Sequence, residues 1–445
     1  MGRYEAGVRS DGGSFAFPID TGLASRLEGL GLLNASSLVN SCNAGKESVL
    51  YNLIPTPVQS LDRFAVTRST VKWVLGANGL LQEIPANTPA FEYNTDGTYR
   101  GLLVEPAGTN LLTYSAQFDD ASWTKTDITI TPDNTTSPDG TVNADLMTQG
   151  TAGTGIIQKN YTVSSGATAT ESIYVKSIDV PWLRLRLLNG ANVTDAWFDI
   201  QNGVVGSTAV TGTAVNNGLS IQALPNGWYR CSITGSIPSV TTYAFQILFV
   251  TANSGATRVA NGQCYLYGAQ AETGSVATSY IPTVASTQTR TADSVTLTGA
   301  SSLIGQQEGT IYFELDFTAG SALIKDAIYL RNSTSTDFVR IVTAVSNAIV
   351  VGTRRAGSSN NLITSAAQTS GVKKVAFAYS EADYALYING VQAGTSTTAT
   401  VLPSVTMTEV ILGNAVINNH LNDRIRSVAL FPTRIPNATL AALTA

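Results

Sequence analysis

The chain has 445 residues, a formal net charge of −5 and only 13% charged residues, well under the roughly 25% usual in soluble proteins. This composition predicts a surface of hydroxyl and amide groups. It also excludes the clustered basic charge that nucleic-acid binding requires. No stretch has the ~20 apolar residues that span a bilayer. The first residues lack the apolar run of a secretory signal, so we expect no export signal.

The first 50 residues differ in pattern from the rest of the chain. Asp20-Thr21 predicts the start of a short helix with a leucine stripe on one side. Such a stripe indicates a packing face, whose partner can be the same chain, a symmetry mate or another protein. We therefore expect residues 1–50 to form a docking or oligomerisation segment. The stripe consists of Leu23, Leu27, Leu30 and Leu33.

Short strands and turns follow. Residues 51–115 predict a β-rich connecting region, because apolar runs of strand length alternate with glycine turns. From 116 to 293 the strands recur at the close spacing of a β-sandwich. In Leu183-Arg184-Leu185-Arg186-Leu187 the alternation predicts one apolar and one cationic face. Asn202-Gly203 and Asn226-Gly227 are typical of tight turns.

A second all-β block is predicted from 303 to 445, after a Thr/Ser-rich connector over about 282–302. Alternate apolar residues from Ile311 to Phe317 share one face of its first strand. Asn437 is predicted to cap a final short helix. The predicted fold class is therefore all-β, with tandem β-sandwich (jelly-roll) domains and a short, partly helical N-terminal segment.

Several segments of the chain resemble a known family in both order and sequence. They are Thr88–Tyr93, Gly101–Leu112, Tyr114–Trp123, Asn226–Arg230, Tyr267–Pro282 and Thr289–Asp293. Together they are similar to head-spike and tail-fibre proteins of tailed bacteriophages, which carry a carbohydrate-binding-module-like jelly roll. The resemblance covers roughly 60–293. Through segments such as Gly309-Thr-Ile-Tyr-Phe313 and Tyr387-Ile-Asn-Gly390, the block at 303–445 resembles a concanavalin A-like or laminin-G-like sandwich.

The resemblance implies a structural protein of the virion, as a head fibre, decoration protein or tail-fibre component. It implies assembly with other virion proteins, a homo-oligomer such as a trimer, and contact with host surface glycans. Release by host lysis would account for the missing export signal. Two alternatives remain open: a dedicated receptor-binding protein that recognises host polysaccharide, and a polysaccharide depolymerase.

Catalytic residue types are scarce. His420 is the single histidine, so a histidine-based triad has only one candidate. Glu314 and Asp316 lie two apart on one strand and resemble a glycosidase pair, but a solvated polar face gives the same pattern far more often. We therefore predict no enzymatic activity and no cofactor.

The sequence also has few candidates for metal ligands or reactive thiols. Cys42, Cys231 and Cys264 are predicted to be buried free thiols, with a Cys231–Cys264 bridge as the alternative. No Cys/His cluster suggests zinc. Calcium remains open at the loop acids Asp119-Asp120 and Asn422-Asp423.

Sugar binding would depend on an aromatic face beside hydrogen-bonding side chains. Trp197 and Trp228 lie beside strand signals and are predicted to be core residues. Trp182 follows Pro181 at a strand start, and Arg184 shares its face. The predicted glycan-binding residues are Trp182, Arg184 and Tyr243, with core packing as the alternative for Trp182.

Overall fold

In the computed structural model, the described residues fold as an all-β protein with two β-sandwich units, as predicted. No described helix combines the length and apolarity needed to cross a bilayer. The first unit takes Met1–Val71, Ile84–Pro106 and Thr291–Ala445, and the second takes Lys72–Glu83 and Ala107–Arg290. The described residues are 23, 26, 27, 29, 30, 32, 38–41, 64–320, 324–399, 401–414 and 419–445.

The strands are short, and those of each unit are not contiguous in the chain. The N-terminal strands are β1 (Leu38–Ser41), β2 (Ala65–Thr67), β3 (Lys72–Leu75), β4 (Leu81–Ile84), β5 (Phe91–Tyr93), β6 (Tyr99–Val104) and β7 (Gly108–Asn110). The central strands are β8 (Thr124–Thr126), β9 (Ile128–Thr136), β10 (Val142–Gln149), β11 (Ile156–Thr162), β12 (Ala169–Ser177), β13 (Trp182–Asn189), β14 (Asn192–Asp199), β15 (Val204–Thr211), β16 (Val215–Ala223), β17 (Tyr229–Ser236), β18 (Thr242–Val250), β19 (Gln263–Thr273) and β20 (Gln288–Arg290). The C-terminal elements are β21 (Ser294–Thr298), β22 (Glu308–Phe317), β23 (Lys325–Arg331), β24 (Phe338–Thr343), β25 (Ala348–Arg355), β26 (Ser358–Ala367), β27 (Gly371–Ser380), β28 (Asp383–Ile388), β29 (Val391–Ser396), β30 (Glu409–Leu412), β31 (Asp423–Phe431) and helix α1 (Asn437–Thr444).

The second unit is a sandwich of two antiparallel sheets. Sheet A has the order β16-β17-β12-β19-β10-β9, and sheet B has the order β15-β14-β13-β18-β11-β8. Alternate apolar residues from both sheets form one core, for example Ile173 of β12 and Leu185 of β13. The hairpin β3–β4 adds Leu81 to an aromatic cluster on the other side of sheet A, with Trp228 and Tyr267. Sheet A therefore packs on both faces.

The first unit pairs sheet C, with the order β29-β28-β27-β22-β31-β6-β5 and β1 alongside β31, with sheet D, with the order β2-β21-β30-β23-β24-β25-β26. The predicted inward face of β22 is confirmed, because Ile311, Phe313, Leu315 and Phe317 are all in the core of this sandwich.

The leucine stripe packs within its own chain. Leu23 and Leu27 are helical and fully buried, and they join Leu440 and Leu443 of α1 in one apolar cluster. Leu30 is partly buried against it, whereas Leu33 lies outside the described residues. The described leucines therefore pack against their own chain and are not available for docking. A docking role for 1–50 stays a prediction and would need other residues of that segment.

The predicted segment boundaries differ from the observed units. In the described part of 51–115, strands β2, β5 and β6 join the first unit, whereas β3 and β7 join the second. The first sandwich therefore draws strands from well outside 303–445. The reason is long-range pairing: β6 hydrogen-bonds to β31, with Leu102 opposite Ile425.

Two smaller expectations can also be settled. Cys231 and Cys264 are buried and free, so no bridge joins them, and Cys42 lies outside the described residues. Helix α1 forms, but Pro436 occupies its N-cap position and no side chain caps it. Asn437 instead accepts a hydrogen bond from Arg434 Nη2 at 2.7 Å.

Candidate functional site

The outer face of sheet B carries the cationic side of β13. Burial alternates along this strand. Leu183, Leu185 and Leu187 point into the core, while Trp182, Arg184 and Arg186 lie on the opposite side and are half-buried. The Arg184 and Arg186 side chains are 13% and 24% exposed. We call this surface the arginine face; it comprises Gln158, Asn160, Trp182, Arg184, Arg186, Asp195, Trp197, Gln246 and Arg258.

A polar row crosses four strands at the centre of the arginine face. Arg186 lies directly opposite Asp195 of β14 and Gln246 of β18, and Gln246 lies opposite Gln158 of β11. Arg186 donates from Nε to Asp195 Oδ1 at 2.9 Å and from Nη1 to Gln246 Oε1 at 3.1 Å. Gln246 Nε2 then donates to Gln158 Oε1, and Gln158 Nε2 donates to Asn160 Oδ1 at 2.9 Å. Each residue fixes the orientation of the next.

Arg184 is held more tightly than Arg186. Its Nε and Nη2 both donate to Asp195, at 2.8 Å each, and its guanidinium lies 4.7 Å from the ring centroid of Trp197. Trp197 Nε1 in turn donates to the carbonyl of Gly255 at 2.9 Å. The bidentate contact and the stacking hold the guanidinium in one orientation, while using two of its five N–H donors. Arg184 therefore serves mainly as a fixed positive charge.

Positive charge is in excess on this face. Arg258 donates from Nε to the carbonyl of Gly155 at 2.9 Å. Burial lowers the pKa of Arg258 below its usual value, and the positive charges of Arg184 and Arg186 lower it further. Asp195 is the single carboxylate that the described ion pairs bring to these guanidinium groups.

Trp182 lies at one end of the arginine face, as a half-buried residue. Its ring packs on the backbone of β15, because a Cβ placed on Gly206 would lie 2.6 Å from Trp182 Cζ3. Only a residue without a side chain fits beneath the indole. The predicted pair Trp182 and Arg184 therefore does share one face, and Trp182 is partly exposed there.

Tyr243, the third predicted binding residue, lies elsewhere. It is fully buried in the core of the second unit. Its hydroxyl donates to the carbonyl of Ala167 at 2.8 Å and accepts from Ile237 N–H at 2.9 Å. The ring meets Tyr161 edge-on, with centroids 5.9 Å apart. Tyr243 cannot stack on a ligand, because β18 points it inward; we correct that prediction.

A pocket of about 400 Å³ offers a second candidate in the same unit. Trp228 lines it but is only 2% exposed, which confirms the predicted core position. Lys176 supplies the one charged side chain among the lining residues. The pocket presents less aromatic surface than Trp182 does, so we rank it second. The other lining residues are Gly79, Leu80, Thr135, Thr136, Ser137, Pro138, Leu224, Pro225 and Asn226.

The two carboxylates considered for catalysis, Glu314 and Asp316, form ion pairs with arginines of the first unit. Glu314 accepts from Tyr312 Oη and from Arg426 Nε, at 2.9 Å each, and is 4% exposed. Asp316 accepts from Arg100 Nε at 2.6 Å. These contacts give both acids a structural role.

The loop acids considered for calcium show no cluster. Among the described residues, no group of three or more His, Cys, Asp or Glu side chains could hold a metal ion. Asp423 forms a buried ion pair with Lys325, with 3.0 Å between Oδ2 and Nζ.

The segments that carry the family resemblance are largely structural. Asn110 donates to the carbonyls of Ala269 and Ile281 and is fully buried. Gln270 donates to Glu272, which accepts from Thr278 N–H and Oγ1. This network fastens the ends of the second unit. These contacts give Asn110, Gln270 and Glu272 a structural role.

The sequence matches no family model and no curated protein. Solved structures do show a partial likeness. CBM40 of a Ruminococcus gnavus IT-sialidase, bound to α2,3 sialyllactose, is 16% identical over 33% of this chain and 86% of its own, with a TM-score of 0.29. Domain 4 of AbnA, a GH43 extracellular arabinanase from Geobacillus stearothermophilus, in complex with arabinotriose, is 10% identical over 35% and 73%, with a TM-score of 0.29. A heptameric SAP-like pentraxin from Limulus polyphemus is 12% identical over 31% and 70%, with a TM-score of 0.25. Scores this low carry no weight for function.

Proposed function

We propose that this chain is a structural virion protein of a tailed bacteriophage, and that its second unit contacts host surface glycans through the arginine face. The virion assignment, as a head fibre, decoration protein or tail-fibre component, rests on the sequence resemblance over about 60–293. Assembly with other virion proteins and a homo-oligomeric state, such as a trimer, belong to the same proposal.

The glycan contact is carried by one observation: Trp182 and a row of guanidinium and amide groups share the outer face of sheet B. Sugars combine apolar ring faces with hydroxyl groups, so a binding face needs an aromatic surface beside oriented donors and acceptors. The row from Arg186 to Asn160 is oriented by its own hydrogen bonds. This preorganisation lowers the entropy lost on binding.

Binding without cleavage is part of the proposal. The two carboxylates spaced like a glycosidase pair, Glu314 and Asp316, are engaged by arginines of their own unit. A depolymerase would release new reducing ends from host polysaccharide, whereas a binding protein would not. A dedicated receptor-binding protein differs from our proposal only in being essential for adsorption, which a deletion phage would reveal.

The experiment compares single variants of the full chain for retention on immobilised host polysaccharide. Trp182→Ala and Arg186→Ala are expected to weaken retention about tenfold or more, as for loss of a stacked ring or a charged hydrogen bond. Arg355→Ala, in the first unit, removes the same charge and is the matched control. Circular dichroism of each variant establishes that it is folded.

Two outcomes would contradict the site or the function. If Lys176→Ala abolishes retention while Arg186→Ala leaves it unchanged, the ligand lies in the pocket beside Trp228. If the wild-type chain binds no host polysaccharide, the glycan contact is wrong. Mass spectrometry of purified particles tests the virion assignment separately, and absence of the chain from them would overturn it.

A further inference from the structure

From the charge balance of the arginine face, we propose that its ligand is an acidic glycan, one whose sugars bear carboxylate, sulfate or phosphate groups. This inference rests on the proposed glycan contact and narrows it to a chemical class. Neutral polysaccharides are the alternative class.

The first step is the count of charges. Three guanidinium groups lie on the arginine face, those of Arg184, Arg186 and Arg258. The described carboxylates there are Asp195, which pairs with Arg184 and Arg186, and Asp199, which lies opposite Trp182. Asp195 is 4% exposed and already accepts hydrogen bonds from Arg184 and Arg186. When both acids are counted, the face keeps an excess of one positive charge, and Arg258 forms no ion pair with either acid among the described residues. An anion placed here would gain Coulomb energy that a neutral sugar would not.

The second step concerns free donors. Arg186 uses Nε and Nη1 within the polar row, and among the described residues Nη2 meets no acceptor within hydrogen-bond distance. Its side chain is 24% exposed. Guanidinium N–H groups match the oxygens of carboxylate, sulfate and phosphate, and hydrogen bonds between ions are about twice as strong as neutral ones. Arg186 therefore offers a positioned donor for an anionic group.

The third step is the cost of covering this surface. A neutral sugar seated on the arginine face would remove water from half-buried guanidinium groups and offer no compensating charge, which is unfavourable. An acidic sugar offsets that desolvation. Trp182 lies on the same face and would carry the apolar side of a sugar ring while the anionic substituent meets Arg186. Polar and apolar contacts thus fit one saccharide.

The fourth step is the surrounding field. The whole chain has a formal charge of −5, so its net charge does not attract an acidic polysaccharide. A local positive face on a negative protein therefore selects both the ligand and the site where it binds. Binding should weaken as salt rises, because these charges are partly exposed.

The test is an array of bacterial surface polysaccharides in which each acidic member is paired with its neutralised form. Uronic acids are carboxyl-reduced, sulfate esters are removed, and phosphate carried as a monoester is hydrolysed to the free hydroxyl, so the arms also distinguish the three anionic groups. We expect at least about tenfold stronger retention of the acidic member of a pair, as for one charge-assisted hydrogen bond. Arg186→Gln and, independently, Arg258→Gln should remove that preference. Arg355→Gln is the matched control.

The outcomes separate the two levels of the proposal. Equal retention of the acidic and neutral members overturns the acidic class and leaves the glycan contact standing. Retention of no glycan at all overturns both. A preference that survives both Arg186→Gln and Arg258→Gln in folded variants shows that the anion binds away from the arginine face, and it would also overturn the inference.

Discussion

Each sandwich has arginines on the outer face of one sheet, yet the two faces differ in charge balance. In the first unit, Arg426 and Arg26 approach Glu314 at 2.9 and 3.6 Å. All four arginines of the sheet C network pair with an acid, and three acids serve them. On sheet B, Arg184 and Arg186 share Asp195, and Arg258 has no acidic partner among the described residues. The residues of the sheet C network are Arg26, Arg100, Arg424, Arg426, Glu92, Glu314 and Asp316.

This difference shows how one residue type serves two purposes. On sheet C the charges compensate one another, and Tyr312 and Ser427 satisfy the remaining oxygen of Glu314. Such a network fixes the packing of the N-terminal helical residues and β31. On sheet B the compensation is incomplete, so charge remains available for another molecule. Arginine content alone would not separate the two faces.

The largest expected effect on stability comes from removing Glu314 from the sheet C network. Glu314→Ala would leave Arg426 and Arg26 without their shared acid in a largely buried position. We expect the free energy of unfolding to fall by about 3–5 kcal/mol, as for removal of one partner of a buried pair. Urea denaturation of the full chain measures this. Glu83→Ala, at an exposed position, should change it by less than about 0.5 kcal/mol. A loss for Glu314→Ala no larger than the control would show that the sheet C network adds nothing.

The second expected effect concerns a buried acid of the second unit that lacks an arginine. Asp145 is 1% exposed and accepts from the backbone N–H groups of Phe118 and Asp133. Burial raises its pKa to about 6. Because the folded state holds the proton more tightly than the unfolded state, this contribution is fully present below about pH 4. It is lost as pH rises to about 6 and is constant above that.

The measurement is urea denaturation of wild type and Asp145→Asn between pH 4 and pH 7. Two pKa units correspond to a loss of at most about 3 kcal/mol for the wild type, which the uncharged variant should not show. The difference between the two proteins isolates Asp145 from other buried acids such as Glu171 and Glu272. Parallel pH profiles would contradict the assignment.

The smallest expected effect comes from Asp195→Asn, which removes a negative charge from the arginine face and so increases its excess of positive charge. The amide oxygen still accepts from one arginine, so we expect a loss of about 1–2 kcal/mol in the free energy of unfolding. Affinity for an acidic glycan should rise in the same variant, because the excess positive charge grows by one. Array retention at low salt measures this. A fall in acidic retention would mean that Asp195 mainly positions Arg184 and Arg186.

Strand periodicity predicted much of this molecule. The alternation around Arg184 gave the two faces of β13, and that around Phe313 gave the core of the first unit. The same rule applies to Tyr243, which has the parity of Phe245, Ile247 and Phe249 and therefore points inward. Gln246 has the opposite parity and reaches the arginine face. The alternation in the sequence therefore already places Gln246 on the outer face and Tyr243 in the core.

Other features had no local signal. That Asp195 lies opposite Arg186, and Gln246 opposite it on the other side, depends on the register between strands. Register is set by the packing of whole sheets and is not written in any one strand. The same holds for β6, whose partner β31 lies more than 300 residues away in the chain. Segment boundaries drawn from composition therefore differ from the units.

Because strands of the two units alternate along the chain, the gene segments that encode the two units cannot be exchanged independently. The second unit includes the hairpin at 72–83 as well as 107–290, and the stretch between them, 84–106, supplies β5 and β6 to sheet C. A recombination event that exchanged the second sandwich as one contiguous piece of gene would also exchange two strands of the other sandwich. Their partner β31 would remain behind with a foreign neighbour. We therefore expect the two sandwiches to be transmitted between genomes as a single cassette.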